Sequence, residues 1–379
     1  MSPCSGPDGW SRFGFTASDC SVAATVLIIK AAVLTFGVLS FEIVNNEAIG
    51  SVTHILSIWN RWDGPQYVLI AQHGYGAAGD QRLALVFFPL YPWLIRMTAL
   101  VVGDAVAAGF VVSTIGSVVA GVALARLFAI DNPPRLARDA VWFLFIFPTS
   151  YVLHANYSES VFLAFLLTAF LAARRERWTT AGVLGAFAAL TRPNGILLLF
   201  AFAAEALREF WRTRRIERRW LWIGMITLGF GIYLLVNYRF TGDPTTFLRL
   251  EREHWQDAMV APWNGVWTSY KVSREYAPHD AAMIGMQVLF YLALGLAGTI
   301  ASALTLPVSY TVWIALNWLL FASQSWNLST PRYTLVMFPL FILIARLARN
   351  HYWNVAITVW SLLWLGFLTS EFVVGRWAF

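Results

Sequence analysis

The sequence predicts an all-α, polytopic membrane protein, and three observations predict it. Of 379 residues, 58% are hydrophobic and only 13% are charged, against about 25% charged in a soluble domain. The apolar residues fall in runs close to the roughly 20 that a bilayer-crossing helix needs. Nineteen Trp suit the membrane–water boundary, where an indole ring sits half wet. The net charge of +6 is modest and gives no reason to expect a nucleic-acid partner. Cys4 and Cys20 are too few for a disulfide framework or a metal cluster. Heptads, solenoid periods and disordered tails are absent, so residues 1–379 read as one transmembrane domain.

Taken in order, residues 1–21 hold Asp8, Arg12 and Asp19 without a basic n-region, and read as a cytoplasmic tail. The first span is 22–44. Lys30 inside it reads as snorkelling or paired. Residues 45–104 form the first outer loop, with a short amphipathic helix expected over 64–73. Its apolar part, 84–102, holds Pro89, Pro92 and Arg96 and reads as a segment of the outer leaflet that does not cross. The basic loops decide this. Arg126, Arg135 and Arg138 flank one connection, Arg174, Arg175 and Arg177 a second, and six Arg lie between Arg208 and Arg219. Positive-inside bias puts all three in the cytoplasm, and parity allows that only if 84–102 stays outside.

Further spans follow at 105–127, 139–154 and 160–173. Residues 179–207 break at Thr191-Arg192-Pro193-Asn194-Gly195, and each half is about 18 Å of helix, too short to cross. A half-depth hairpin results, with Arg192 at its tip. Spans at 220–238, 281–300, 302–321, 335–347 and 354–374 complete about nine crossings, with the second large outer loop at 239–280.

The stretch Ile58–Tyr75, IWNRWDGPQYVLIAQHGY, carries the chemistry. It sets Arg61 and Asp63 among Trp59, Trp62 and Tyr67, ahead of Phe87-Phe88-Pro89-Leu90-Tyr91-Pro92. The Tyr157–Glu159 turn and the Arg332 loop join it at the outer membrane edge, and Arg192 reaches the same place from below. One carboxylate near several guanidiniums suits a reaction that needs a base and a stabilised phosphate leaving group. No Walker loop supports nucleotide binding. The six His are scattered and read as structural or interfacial.

Asp63 reads as a general base, against an ion pair with Arg61 or a helix cap. Arg332 reads as the grip on a donor phosphate, against a snorkelling Arg; Arg192 reads as a second grip or as a cap on the broken helices. Glu159 orients an acceptor or stabilises a turn. Trp62, Tyr67 and Tyr157 stack on sugar rings or anchor at the interface.

Trp62-Asp63 with Tyr67, Ile70-Ala71 and Gly74-Tyr75, then Phe87–Pro92, Asn156-Tyr157-Ser158-Glu159-Ser160, Thr191–Gly195 and Pro331-Arg332-Tyr333, together resemble the family of the second GPI mannosyltransferase. That family lies among the GT-C glycosyltransferases. The resemblance implies a GT-C fold, an acidic residue at work in the first outer loop and a lipid-phosphate sugar donor. It implies an inverting transferase that moves a mannose-like hexose from a polyprenyl- or dolichyl-phosphate to a glycolipid or envelope glycan. Asp63 would be catalytic, Arg332, Arg192 and Tyr333 would hold the donor phosphate, and Trp62, Tyr67, Tyr157, Glu159 and Arg61 would hold substrate. No cofactor or metal is implied where Arg supplies the positive charge. Gly64 stands where the family has a small hydroxyl residue. The length suggests a prokaryotic homologue in a bacterial plasma membrane with its site facing out, or a lumenal site in the ER membrane if eukaryotic. The other readings are a transporter or flippase and a non-catalytic lipid-binding subunit.

Overall fold

The computed structural model describes residues 16–379, so most of the expected 1–21 tail lies outside the described residues. Helix α1 (Ala17–Asn45) opens on a capping box. The Thr16 hydroxyl accepts from the Asp19 amide at 3.3 Å, and the Asp19 carboxylate accepts from the Thr16 amide at 2.7 Å. Two amides that would otherwise lack partners are thereby satisfied. Inside α1, the buried Lys30 donates to the His154 carbonyl at 3.1 Å.

The architecture is all-helical, and one isolated bridge, Met259 with Gln324, is the sole β pairing among the described residues. Five helical stretches are long and apolar enough to cross a bilayer, at 17–45, 105–128, 218–241, 278–305 and 351–373. Two bent pairs bring the number to seven if each is one span. One is Gly79–Val86 with Leu90–Val102, bent by 119°. The break falls at Phe87-Phe88-Pro89, inside the 84–102 segment expected not to cross. The expected boundary near residue 301 lies instead at Pro307, which caps the helix Val308–Ala322. The expected 139–154 run is a 12-residue helix, Pro134–Phe145, followed by Pro148 and a 3-10 turn at Ser150–Leu153. Proline fixes φ and removes a donor, so each break falls beside one.

At the centre, α2 (Ala105–Phe128) packs on α3 (Glu159–Arg174). Small residues Gly109, Ser113, Gly116, Ser117 and Ala120 are buried on α2, which lets the backbones approach closely. A Cβ at Gly116 would lie 2.9 Å from the Ser160 carbonyl carbon, so no larger residue fits. Helix α3 is apolar and buried on nearly all sides, as a central helix must be.

Helices α4 (Trp178–Thr191) and α5 (Leu198–Thr213) are joined by the 3-10 turn Pro193–Leu197. The Trp178 and Phe202 rings lie 6.2 Å apart. A continuous helix would separate these positions by about 36 Å, so the chain folds back into the expected hairpin.

The bundle has two charged ends. Arg126–Asp19, Arg174–Asp131 and Arg219–Glu176 pair at one end, where Arg346 also reaches Asn132 and the Thr305 carbonyl. All three basic connections therefore meet on one face. The hairpin tip, the Asp63 loop, the Asn156–Glu159 turn and the Arg332 loop gather at the other.

Candidate active site

Asp63 precedes the helix Gly64–His73 but makes no side-chain cap to it. Its Oδ2 instead accepts from Arg332 Nη1 at 2.8 Å. Arg332 Nε lies 3.1 Å from Glu159 Oε1, and Arg192 Nη1 lies 2.8 Å from the same oxygen. Acid and base thus alternate: Asp63, Arg332, Glu159, Arg192. The Arg61–Asp63 pair, weighed from sequence as the bland alternative, does not form in the structure. Arg61 Nη2 donates to the Val373 carbonyl at 3.2 Å.

The four members differ in access. The Glu159 side chain is 0% exposed, Arg332 7%, Arg192 11% and Asp63 28%. Asp63 is the end of the series that meets the outside. Aromatic rings fix the guanidiniums. Arg332 lies over Tyr157 and Tyr333, and Arg192 over Tyr333, each between 5.1 and 5.2 Å from the ring centroid. These cation–π contacts keep both cations in an apolar setting. Arg332 makes its closest approaches to the two acids through Nη1, toward Asp63, and Nε, toward Glu159.

The backbone turns sharply to present Asp63. Trp62 has φ +54°, a left-handed conformation that costs a bulky residue about 1–3 kcal/mol and persists only where surroundings enforce it. Tyr157 donates from its hydroxyl to the Arg61 carbonyl at 3.2 Å and helps to hold the turn. The Tyr67 hydroxyl pairs with the Ser158 Oγ at 2.9 Å, and Ser158 also accepts from Arg192 at 3.1 Å. A Cβ at Gly64 would lie 2.7 Å from Asn60 Oδ1, the far end of a side chain.

All nine residues named from sequence converge on this end. Tyr67 and Tyr157 are buried and Glu159 is enclosed between two cations. Trp62, at 42%, is the exposed aromatic of the set. Sequence reasoning missed Ser158 as the hydroxyl between Tyr67 and Arg192, although it stood inside the quoted Asn156–Ser160 motif. It also missed Tyr151, which donates to the Ala378 carbonyl. Nothing in its apolar surroundings marks it. A mainly apolar cavity of about 360 Å³ is lined by Lys30, Leu34, Ile55, Trp59, Phe110 and Ile115 among others, and by none of the nine site residues. No group of three metal-ligating side chains occurs among the described residues.

Residues 88–236 match the family described as dolichyl-phosphate-mannose-protein mannosyltransferase. The GPI alpha-1,6-mannosyltransferase 2 of Mus musculus is 29% identical over 185 residues, 45% of this chain. The chain is similar to the GT-C membrane glycosyltransferases. That bears out the recognition drawn from the motifs. The match takes in 36% of the mouse protein's length. The family match takes in the Asn156–Ser160 and Thr191–Gly195 motifs but not Asp63 or Arg332. Among solved structures, ArnT from Cupriavidus metallidurans bound to undecaprenyl phosphate is similar at a TM-score of 0.44 and 14% identity, over 93% of this chain and 78% of that one. The Archaeoglobus fulgidus oligosaccharyltransferase is similar at 0.49 and 14%, over 90% and 53%.

Proposed function

We propose that this chain is an inverting glycosyltransferase. It moves a mannose-like hexose from a polyprenyl- or dolichyl-phosphate to a glycolipid or envelope glycan. The observation that carries the reading is the alternation Asp63–Arg332–Glu159–Arg192, with Asp63 at its accessible end. The donor class is drawn from the proteins this chain resembles, a dolichyl-phosphate-mannose transferase family among them.

In the reaction, an acceptor hydroxyl enters beside Asp63. Its oxygen attacks the anomeric carbon of the donor sugar from the face opposite the phosphate. The new C1–O bond forms as the C1–O bond to phosphate breaks, and configuration at C1 inverts. Asp63 takes the hydroxyl proton in that step. The electron pair of the broken bond stays on the lipid phosphate, whose added charge the Arg332 guanidinium meets. A guanidinium held in place before the reaction needs little reorganisation, which is where such stabilisation is most effective. Glu159 holds Arg332 and Arg192 apart and in register, so the two cations face one phosphate without repelling each other out of place. The apolar cavity beside Trp59 suits an isoprenoid or acyl chain.

The three basic connections share the opposite face of the bundle. By positive-inside bias that face is cytoplasmic, and the Asp63 end then faces out, in a bacterial plasma membrane or toward an ER lumen. The test is transfer of labelled hexose from a polyprenyl-phosphate hexose by the purified chain in lipid nanodiscs. Appearance of an inverted glycoside supports the reading. Sugar movement across sealed vesicles with no glycoside formed contradicts it.

A further inference from the structure

We infer that the expected second outer loop is a clamp that sets the position of Arg332, with Asp257, Ser269, Gln324, Ser325 and Asn327 as its positioning residues. The inference rests on the transferase reading above and adds the element that places the phosphate-facing guanidinium.

Arg332 addresses two acids at once, Asp63 at 2.8 Å and Glu159 at 3.1 Å. It does so from a helix of four residues, Thr330–Tyr333. So short a helix has little stability of its own, and its placement is set by whatever holds its ends. On the core side, the buried Thr149 hydroxyl donates to the Pro331 carbonyl at 3.1 Å. On the other side the chain arrives through residues 323–329, and that stretch is fastened to residues 256–269.

The fastening is by backbone and side chain together. The Val260 amide donates to the Ser323 carbonyl at 2.7 Å, and the Ser325 amide to the Ala258 carbonyl at 2.9 Å, on either side of the Met259–Gln324 bridge. Ser325 Oγ accepts from the Ala258 amide at 2.9 Å and donates to the Gln256 carbonyl at 3.1 Å. Gln324 Nε2 donates to Asp257 Oδ2 at 2.9 Å. The buried Ser269 Oγ donates at 2.7 Å to Oδ1 of Asn327, which is buried too. The Asn327 carbonyl in turn accepts from the Thr330 amide at 3.2 Å, where the Arg332 helix begins.

The backbone on the loop side is shaped to fit. Gln256 has φ +53°, a conformation that persists in a non-glycine residue only where the surroundings enforce it. A Cβ at Gly265 would lie 2.1 Å from the Ala322 carbonyl oxygen and 2.7 Å from that of Gln324. The helix Pro262–Glu275 therefore rests directly on the chain that leads to Arg332. A cation stabilises a leaving phosphate best when it is already in place. The loop supplies that placement and acts through Arg332.

The test joins hydrogen exchange read by mass spectrometry to the hexose-transfer assay, both on the full chain in lipid nanodiscs. In Asp257→Ala, exchange over residues 324–333 is expected to rise at least ~3-fold, the scale of one lost hydrogen bond, with exchange over Ala105–Phe128 unchanged. The kcat of transfer is expected to fall at least ~10-fold, within the ~10²-fold that a shift of about 1 Å can cost, and the donor KM to move by less than that. Gln324→Glu sets two carboxylates face to face and is expected to do the same. Asp257→Asn combined with Gln324→Glu restores a donor and an acceptor across the gap, and both readouts are expected to recover. Native exchange over 324–333 in Asp257→Ala, native transfer despite raised exchange, or no recovery in the double variant overturns the inference. The same exchange pattern in a chain whose native form transfers no hexose leaves the clamp standing and removes the transferase reading.

Discussion

The two charged ends of the bundle hold similar residues in different settings. At the basic end, Arg174–Asp131 and Arg219–Glu176 pair at 2.7 and 2.6 Å, with the acid side chains 44% and 69% exposed. Exposed pairs of this kind contribute little, because water screens them and two long side chains lose freedom. At the Asp63 end, distances of 2.8–3.1 Å join groups that are nearly all enclosed. There each charge depends on its neighbour, since an unpaired buried charge is costly. Bond length alone does not separate the two ends, and neither does burial alone, since Asp19 at the basic end is 5% exposed; the unbroken series of four charges at the Asp63 end does. On the proposed reading, the basic end orients the chain in the membrane and the Asp63 end is the place for chemistry.

The comparison can be broken most sharply at Arg332. Arg332→Lys removes the fork that reaches Asp63 and Glu159 together, and hexose transfer is expected to fall at least ~10²-fold, the scale of a lost charge-stabilising donor. Transfer at the native rate would show that the guanidinium is only structural. Next comes Glu159→Gln, which leaves two enclosed guanidiniums without their shared counter-charge. A loss of about 3 kcal/mol is expected, read as a lower midpoint in thermal or denaturant unfolding of the reconstituted protein. A change below about 1 kcal/mol would show that water already screens this end.

A smaller effect concerns an acid at the same end that faces no guanidinium. Burial pushes the Glu251 carboxyl up to about 7, and nearby Asp257 adds to it. The native state therefore binds more protons than the unfolded chain between the ordinary value of 4.5 and about 7. Stability should be greatest below that window and decline as pH rises through it. Glu251→Gln should flatten the decline in melts recorded across the window, and an unchanged slope would assign it to other groups. The smallest effect is expected at the basic end. Asp131→Asn should alter stability by no more than about 0.5 kcal/mol and leave transfer unchanged.

Much of this was legible in the sequence, for physical reasons. Apolar runs announce a bilayer because lipid leaves backbone groups no partner outside the helix. The Arg192-Pro193 break was legible because proline cannot continue a helix, and the hairpin follows. Arg positions gave the basic face, and the structure gathers those loops at one end. The Asp63–Arg332 pair spans 269 positions, and only tertiary packing makes it. Tyr67 and Tyr157 looked like interfacial aromatics, yet both are buried, because each hydroxyl finds a partner inside. Helix ends at residues 145 and 305 were obscured by unbroken apolar composition, where Pro148 and Pro307 were the available signals.

The central claim is that Asp63 removes the acceptor proton, and its most direct measurement is single-turnover transfer by Asp63→Asn in nanodiscs. Turnover lower by at least ~10²-fold, with unfolding close to that of the native chain, is the predicted result. Native-like transfer by the folded Asp63→Asn protein would contradict the account.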